Sequence, residues 1–317
     1  MSIESIFNKE LPIINGVYLA SDNSDLENQS QTNEIFSDKW IKYSQEQMQE
    51  QEKLFQFQKE WYLDLYSFSS EQELKIYLED KEYVLDAGCG LGYKAKWFAD
   101  LSPATTVIGM DYSDAAFVAA EKYKNTKNLF FVKGDIADTK LKDGIISYVR
   151  CDQVIHHTED PYLTMKELVR ILQKNKELAV YVYAKKAIPR ELLDDHFRKN
   201  TKNISRDAMW EMSEQLTVLG KDLSDLAITL DVPDIPLLGI KGGKMDLQRF
   251  IYWNFIKCFW NEDLGFKTSI STNYDWYAPS NADRYSLNEF KDMLIGADLN
   301  IESIHSEEAC HSGRFKK

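Results

Sequence analysis

The chain has 317 residues, 44% of them hydrophobic, with a formal charge of −13 at pH 7. The length is generous for one doubly wound domain and the apolar fraction is enough for a sizeable core. The acidic balance excludes a nucleic-acid partner as the first expectation, because a polyanionic backbone would be repelled and no basic run is large enough to reverse this. The cysteines at 89, 151, 258 and 310 form no C-x-x-C pair and read as reduced thiols of a cytoplasmic protein. No segment reaches transmembrane length and Met-Ser-Ile-Glu-Ser lacks a secretory pattern, so no membrane partner is expected.

In chain order, the apolar run Leu11–Leu19 reads as a small hairpin and the polar stretch from Asn23 to Gln31 as a loop. Residues 37 to 68 read as a helical pair carrying Trp40, Tyr43, Phe55, Phe57, Trp61, Tyr62 and Tyr66. Such a pair, placed just before the first strand, is positioned to act as a lid that excludes water. Tyr43 would assist a base or donate to a substrate, although an aromatic stripe at helical spacing more often packs a core.

Residues 84 to 93, Val-Leu-Asp-Ala-Gly-Cys-Gly-Leu-Gly-Tyr, are an apolar run that delivers a carboxylate and then glycines at every second position. This is the pattern of a strand ending in a nucleoside-binding turn, where Gly88, Gly90 and Gly92 permit positive φ and close approach of a ligand. The spacing D-x-G-x-G-x-G differs from the dinucleotide G-x-G-x-x-G. Asp86 beside the turn suits a cationic ligand better than a pyrophosphate. S-adenosylmethionine, with its ammonium and sulfonium, meets that requirement.

Residues 105 to 111 read as a second strand ending in Asp111, with a helix opening at Ser113. A carboxylate at that strand tip accepts two ribose hydroxyls side by side. The competing reading of Asp111 is an N-cap or surface acid. A third strand, Leu129–Val132, leads to Asp135 and Ile136, which would meet an adenine amino group and its ring face. A fourth, 144 to 149, precedes Arg150-Cys151-Asp152-Gln153-Val154-Ile155-His156-His157-Thr158. Ligands of open α/β sheets bind at the carboxyl ends of strands, so this segment should face the reacting group. Tyr112, Cys151 and Asp152 are counted with the cofactor-lining residues, and His156 is preferred over His157 as general base. The blander alternative has one histidine capping the helix near Asp160-Pro161 and the other bonded to a carbonyl. No paired-cysteine or H-E-x-x-H spacing suggests a metal.

A fifth strand, 177 to 183, is followed by about a hundred residues before Ser286 opens another helix. This excursion reads as a substrate cap with helices near 190 to 200, 205 to 230 and 245 to 261. It carries Lys185, Lys186, Arg190, Arg198, Lys199, Lys202 and Arg206, which suit a substrate phosphate or else form a solvated face balanced by Glu191, Asp194 and Asp195. Two closing strands from 298 to 315 turn at Glu307-Glu308. The expected fold is therefore α/β: a doubly wound, mostly parallel seven-stranded sheet, Rossmann-like, with an N-terminal helical lid and a helical insertion after strand 5. The expected divisions are 1–75 for the extension and lid, 76–184 with 286–317 for the cofactor domain, and 185–285 for the insertion.

With these residues in view, the chain resembles class I S-adenosylmethionine-dependent methyltransferases over residues 82 to 183, with a return at 287 to 317. Within them it is similar to a bacterial group of sugar, surface-glycan and natural-product tailoring enzymes, through His156-His157-Thr158 and Asp275-Trp276-Tyr277-Ala278-Pro279. The resemblance implies that Asp86 and the glycines hold the methionine part, Asp111 the ribose, and Asp135 with Ile136 the adenine. An arginine common in the group ahead of the first strand is replaced here by Phe57-Gln58-Lys59-Glu60-Trp61, so a substrate contact made by that arginine is not expected. The expected activity is direct O-methylation of a small molecule or a sugar or glycan precursor such as a sugar nucleotide. N- or C-methylation and a non-catalytic cofactor-binding module are the alternatives, and pairing of the aromatic N-terminal helices between chains would give a homodimer.

Overall fold

The computed structural model describes residues 3–20, 27–44, 48–201 and 203–317, without the side chains of 27, 28, 43, 44, 48–51 and 201. The chain divides into two compact units. One comprises Met1–Ser44, Phe55–Ala184 and Asp283–Lys317; the other comprises Gln45–Leu54 and Lys185–Ala282.

The first unit begins with the hairpin β1 (Ile13–Ile14) and β2 (Val17–Leu19), turned by Asn15 and Gly16 at φ of 50° and 77°. Helices α1 (Glu27–Ser44), α2 (Met48–Leu65, whose first turns belong to the second unit) and α3 (Glu71–Glu79) follow. Next come β3 (Tyr83–Ala87), α4 (Tyr93–Leu101), β4 (Thr106–Asp111), α5 (Ala115–Lys122), β5 (Leu129–Lys133), β6 (Ile146–Cys151), α6 (Pro161–Ile171) and β7 (Leu172–Ala184). The second unit contains α7 (Ile188–Thr201), α8 (Arg206–Asp225), the hairpin β8 (Thr229–Val232) and β9 (Gly243–Asp246), α9 (Leu247–Asn254) and α10 (Gly265–Tyr277). The chain returns to the first unit with β10 (Arg284–Tyr285), α11 (Leu287–Gly296), β11 (Asn300–Ser306) and β12 (Cys310–Lys316).

The strands of the first unit form one sheet in the order β1-β2-β5-β4-β3-β6-β7-β12-β11, with β10 extending β7 in parallel. From β2 to β7 every pairing is parallel, and β12 runs antiparallel to β7 from Cys310↔Tyr183 to Lys316↔Glu177. Alternate residues feed opposite faces, as strand geometry requires. Leu85, Ile108, Val149 and Val180 join a core with Leu168, Phe290 and Met293. Val84, Val107, Tyr148 and Ala179 join another with Leu74, Phe98 and Tyr62. Because both faces are covered, β3 and β6 are buried at every position, which explains why they read as mainly apolar runs.

Several expectations need correction. The sheet has ten strands among the described residues instead of seven: the seven are β5-β4-β3-β6-β7-β12-β11, and β1, β2 and β10 add to them. The hairpin expected over Leu11–Leu19 is β1–β2, whose second strand also pairs with β5 and so joins the sheet, while β10, of two residues, carries too little periodicity to be read and pairs with β7. The expected loop to Gln31 is helical from Glu27, and residues 21–26 lie outside those described. The fourth strand runs on through Arg150 and Cys151.

In the second unit the helix expected to 230 stops at Asp225, where Ala227 turns at φ 51° into the unforeseen hairpin β8–β9. The helix expected over 245 to 261 ends at Asn254, and α10 was not anticipated. Packing within this unit explains α10: Trp210 of α8 stacks on Tyr274 at 3.8 Å between centroids, and Asn273 Nδ2 donates to Thr217 Oγ1 at 2.8 Å.

Candidate active site

The carboxyl ends of β3, β4 and β6 lie side by side, with Asp86 in register with Gly109 on one neighbour and Arg150 on the other. Beyond β3 the glycine turn folds back on β4, since the N–H groups of Gly88 and Cys89 both donate to the Met110 carbonyl at 2.7 and 3.0 Å. Gly88 has φ 76°, and a Cβ there would come within 2.4 Å of Val154 in the loop after β6. Glycine is thus demanded twice at this position, by backbone angle and by contact.

Asp111 at the tip of β4 ties the site together. Its Oδ2 accepts the Gly90 N–H at 2.7 Å, and its Oδ1 accepts the Ser113 N–H at 2.9 Å and hydroxyl at 2.6 Å. Burial pushes its carboxyl above the ordinary carboxylate value, against the pull of those donors. The N-cap expectation for this acid gives way to a different local role, in which it braces both its own loop and the neighbouring turn.

Asp86 is wholly buried and ion-paired with Arg150, while its Oδ2 has no hydrogen-bond partner. Burial raises its pKa, with Arg150 and Lys94 opposing. Arg150 Nη2 also reaches Asp152 Oδ2 at 2.8 Å, Lys94 ion-pairs with the same carboxylate, and Tyr66 donates to Asp152 Oδ1 at 2.9 Å. Burial works against the Asp152 anion, yet Lys94 and Arg150 hold its carboxyl well below the usual range. The result is a buried network of two cations and two carboxylates.

Sequence reasoning missed Lys94, Arg150 and Tyr66. The signal was there: an arginine inside an apolar strand, and a lysine in the first turn after the glycines, both imply buried partners because an isolated buried charge is too costly to keep.

Elsewhere at this sheet edge, Asp135 is half-buried and accepts the Ala137 N–H at 2.8 Å, Ile136 is packed into the core, Tyr112 is half-buried, and burial pushes the Cys151 thiol up to about 12.

The histidines occupy a 3-10 turn, Ile155–His157, entered through Gln153 at φ 64°, a left-handed conformation uncommon for a side-chain-bearing residue and often found at functional loops. His156 is fully buried, with its ring 3.8 Å from Tyr183, 4.4 Å from His157 and 5.9 Å from Tyr181. The His157 ring meets Phe36 of α1 edge-on at 4.9 Å. Helix α6 has Asp160 as its N-cap, whose side chain accepts the N–H groups of Tyr162 and Leu163.

Helix α1 lies across this edge: Phe36 is on His157, Ser37 Oγ accepts the Asp114 N–H at 3.5 Å, and Trp40 is so close to the glycine turn that a Cβ on Gly90 would come within 2.9 Å of its ring. The side chain of Tyr43, the third expected catalytic residue, lies outside the described residues. Among the described residues no helix is long and apolar enough to cross a membrane.

Residues 85–180, from β3 into β7, match the family described as "Methyltransferase domain". Malonyl-[acyl-carrier protein] O-methyltransferase of Legionella pneumophila is 31% identical over 93 residues, 29% of this chain and 33% of that protein. A probable S-adenosylmethionine-dependent methyltransferase of Mycolicibacterium smegmatis is 36% identical over 90 residues, 28% of this chain and 34% of that protein. A SAM dependent methyltransferase from Aquifex aeolicus of known structure aligns at a TM-score of 0.42 and 14% identity, covering 80% of this chain and 90% of that one. The chain covers a quarter to a third of the length of the curated relatives it matches.

Proposed function

We propose that the chain transfers a methyl group from S-adenosylmethionine to a hydroxyl oxygen of a small molecule or of a sugar or glycan precursor. The cofactor is S-adenosylmethionine. One observation carries the fit: Asp111 and the Gly90 N–H are joined at a strand tip next to a glycine turn that has no room for Cβ atoms, and the buried Asp86 Oδ2 beside it still has an acceptor position to fill. Asp111 would serve the ribose, Asp86 with Gly88, Gly90 and Gly92 the methionine part, and Asp135 and Ile136 the adenine, with Tyr112, Cys151 and Asp152 lining the same edge. When bound, the cofactor supplies a methyl group activated by a sulfonium. The chain's own residues then have two tasks, to orient the acceptor oxygen and to take its proton.

His156 is the proposed base. Its imidazole follows the sheet's reacting edge and is held between Tyr183 and His157, which fixes the ring plane for proton transfer. Phe36 and Trp40 of α1 would act as the lid that keeps water from the site. The sugar or glycan assignment is supported by His156-His157-Thr158 and Asp275-Trp276-Tyr277-Ala278-Pro279.

Calorimetric titration with S-adenosylhomocysteine, and methyl transfer from labelled cofactor to a panel of sugars and sugar nucleotides, test the reading. His156→Ala is expected to slow transfer by about 10²–10⁴-fold while leaving S-adenosylhomocysteine affinity within a few-fold. A normal rate removes His156 from the mechanism, and an absence of heat with S-adenosylhomocysteine removes the mechanism itself.

A further inference from the structure

Within the strand-tip network one side chain touches both carboxylates. Arg150 stands on β6 in register with Asp86 on β3, so the two side chains leave the same face of the sheet from neighbouring strands. Its guanidinium ion-pairs with Asp86 Oδ1 through Nη1, and through Nη2 it donates to Asp152 Oδ2 at 2.8 Å. A planar fork gripped at both ends by anions has a single orientation, which a lysine in its place could not reproduce.

Asp152 is anchored from three further directions. Lys94 ion-pairs with Oδ2, Tyr66 donates to Oδ1 at 2.9 Å, and Gln153 Nε2 donates to Oδ2 at 3.4 Å. Lys94 lies in the first turn of α4, where the helix dipole is positive, and is only 6% exposed. Both circumstances disfavour a cation. Burial presses its ammonium below the ordinary lysine value, with Asp152 opposing. A lysine kept at such a position supplies the charge that Asp152 needs, which leaves the charge of Arg150 for Asp86.

The two carboxylates are not equivalent. Asp152 is met by Arg150, Lys94, Tyr66 and Gln153, whereas Asp86 has Arg150 on Oδ1 and, among the described residues, no hydrogen-bond partner on Oδ2, although it is 0% exposed. A buried carboxylate oxygen without a donor costs stability, and a cationic N–H donor on a ligand removes that cost best.

We propose that Arg150 is a positioning residue for the amino-acid end of the cofactor and acts through Asp86: it holds one carboxylate oxygen in a fixed place and leaves the other for the cofactor's ammonium. Asp152 and Lys94 keep the guanidinium where it can do so. The inference rests on the methyltransferase reading above.

The full chain is titrated calorimetrically with S-adenosylhomocysteine, which carries the ammonium, and with 5′-methylthioadenosine, which has the same nucleoside and a thioether but no amino acid. Arg150→Lys, which keeps the charge and loses the fork, should weaken S-adenosylhomocysteine by about tenfold or more, as loss of one charge-assisted hydrogen bond implies, and 5′-methylthioadenosine by less than about twofold. Asp152→Asn, which loosens the far end of the guanidinium, should show the same selectivity with a smaller loss. In an Asp86→Asn background Arg150→Lys should bring no further loss, because a residue that acts through another then has nothing to act on. Equal losses for the two ligands in folded variants, or additive losses in the double variant, would reduce the network to a structural brace and overturn the positioning role. Should the variants fail to fold, the wild type decides: it is expected to prefer S-adenosylhomocysteine over its deaminated analogue by about tenfold or more, and equal affinities overturn the assignment. Failure of the wild type to bind either nucleoside would instead overturn the methyltransferase reading.

Discussion

Two buried charge clusters, one in each compact unit, use the same residue types to opposite ends. At the strand tips Arg150 and Lys94 meet Asp86 and Asp152 one for one, with Tyr66 supplying an extra donor. Around Trp276 the cations Lys186, Arg190, Arg198 and Lys257 lie 4.5–5.8 Å from one indole ring, and Arg190 pairs with Asp194. A balanced network repays its desolvation internally and so holds strand ends and helix start in one arrangement. Around Trp276 an aromatic ring mediates instead, and its indole N–H donates to the Asp194 carboxylate that Arg190 also holds. The difference teaches that burial of charge is no single signal: one cluster joins its charges by ion pairs, the other gathers them on an aromatic ring.

The largest expected effect comes from unbalancing the brace. Arg150→Met leaves Asp86 and Asp152 buried with Lys94 alone, and should destabilise the chain by about 3–5 kcal/mol in urea unfolding, because a buried charge loses its partner. A loss under about 1 kcal/mol would show that the strand-tip network is hydrated and not a brace.

Next is Asp111→Asn, which removes a charge-assisted acceptor from the tip of β4. S-adenosylhomocysteine affinity should fall by about 10–100-fold, with far less effect on unfolding than Arg150→Met, since Asn keeps one oxygen for Gly90 or Ser113. Unchanged affinity by calorimetry would take Asp111 out of the cofactor site.

The smallest is Lys257→Met in the second unit. Removing this charge loses a cation–π contact with Trp276, so stability should fall by about 1 kcal/mol in urea unfolding. A loss as large as that of Arg150→Met would make the Trp276 cluster a second brace and erase the contrast.

Much of the first unit was legible because its strands are buried on both faces. β3, β4 and β5 read as apolar runs ending in an acid or a glycine, and a parallel sheet places such ends on one edge by topology alone. The histidine turn was legible for the same reason. The hairpin β1–β2 was legible as the apolar run Leu11–Leu19, but its joining to β5 was not, nor was β10, since two residues carry no period. The break of the expected 205–230 helix was hidden because Leu226 and Ala227 look like helix formers, and only the backbone turn at Ala227 and the pairing of β8 with β9 end it.

By itself, the sequence determined the order of strands and helices from β3 to β7, the glycine turn, and which acids sit at strand tips, because those follow from local periodicity and chain connectivity. Tertiary structure alone decided what each charge meets. Asp86 faces Arg150 from sixty-four residues away, Val154 closes on Gly88, Trp40 lies on Gly90, and Trp276 gathers cations from three separate segments. Those pairings depend on distances between segments remote in the chain, and no period in the sequence encodes a distance of that kind.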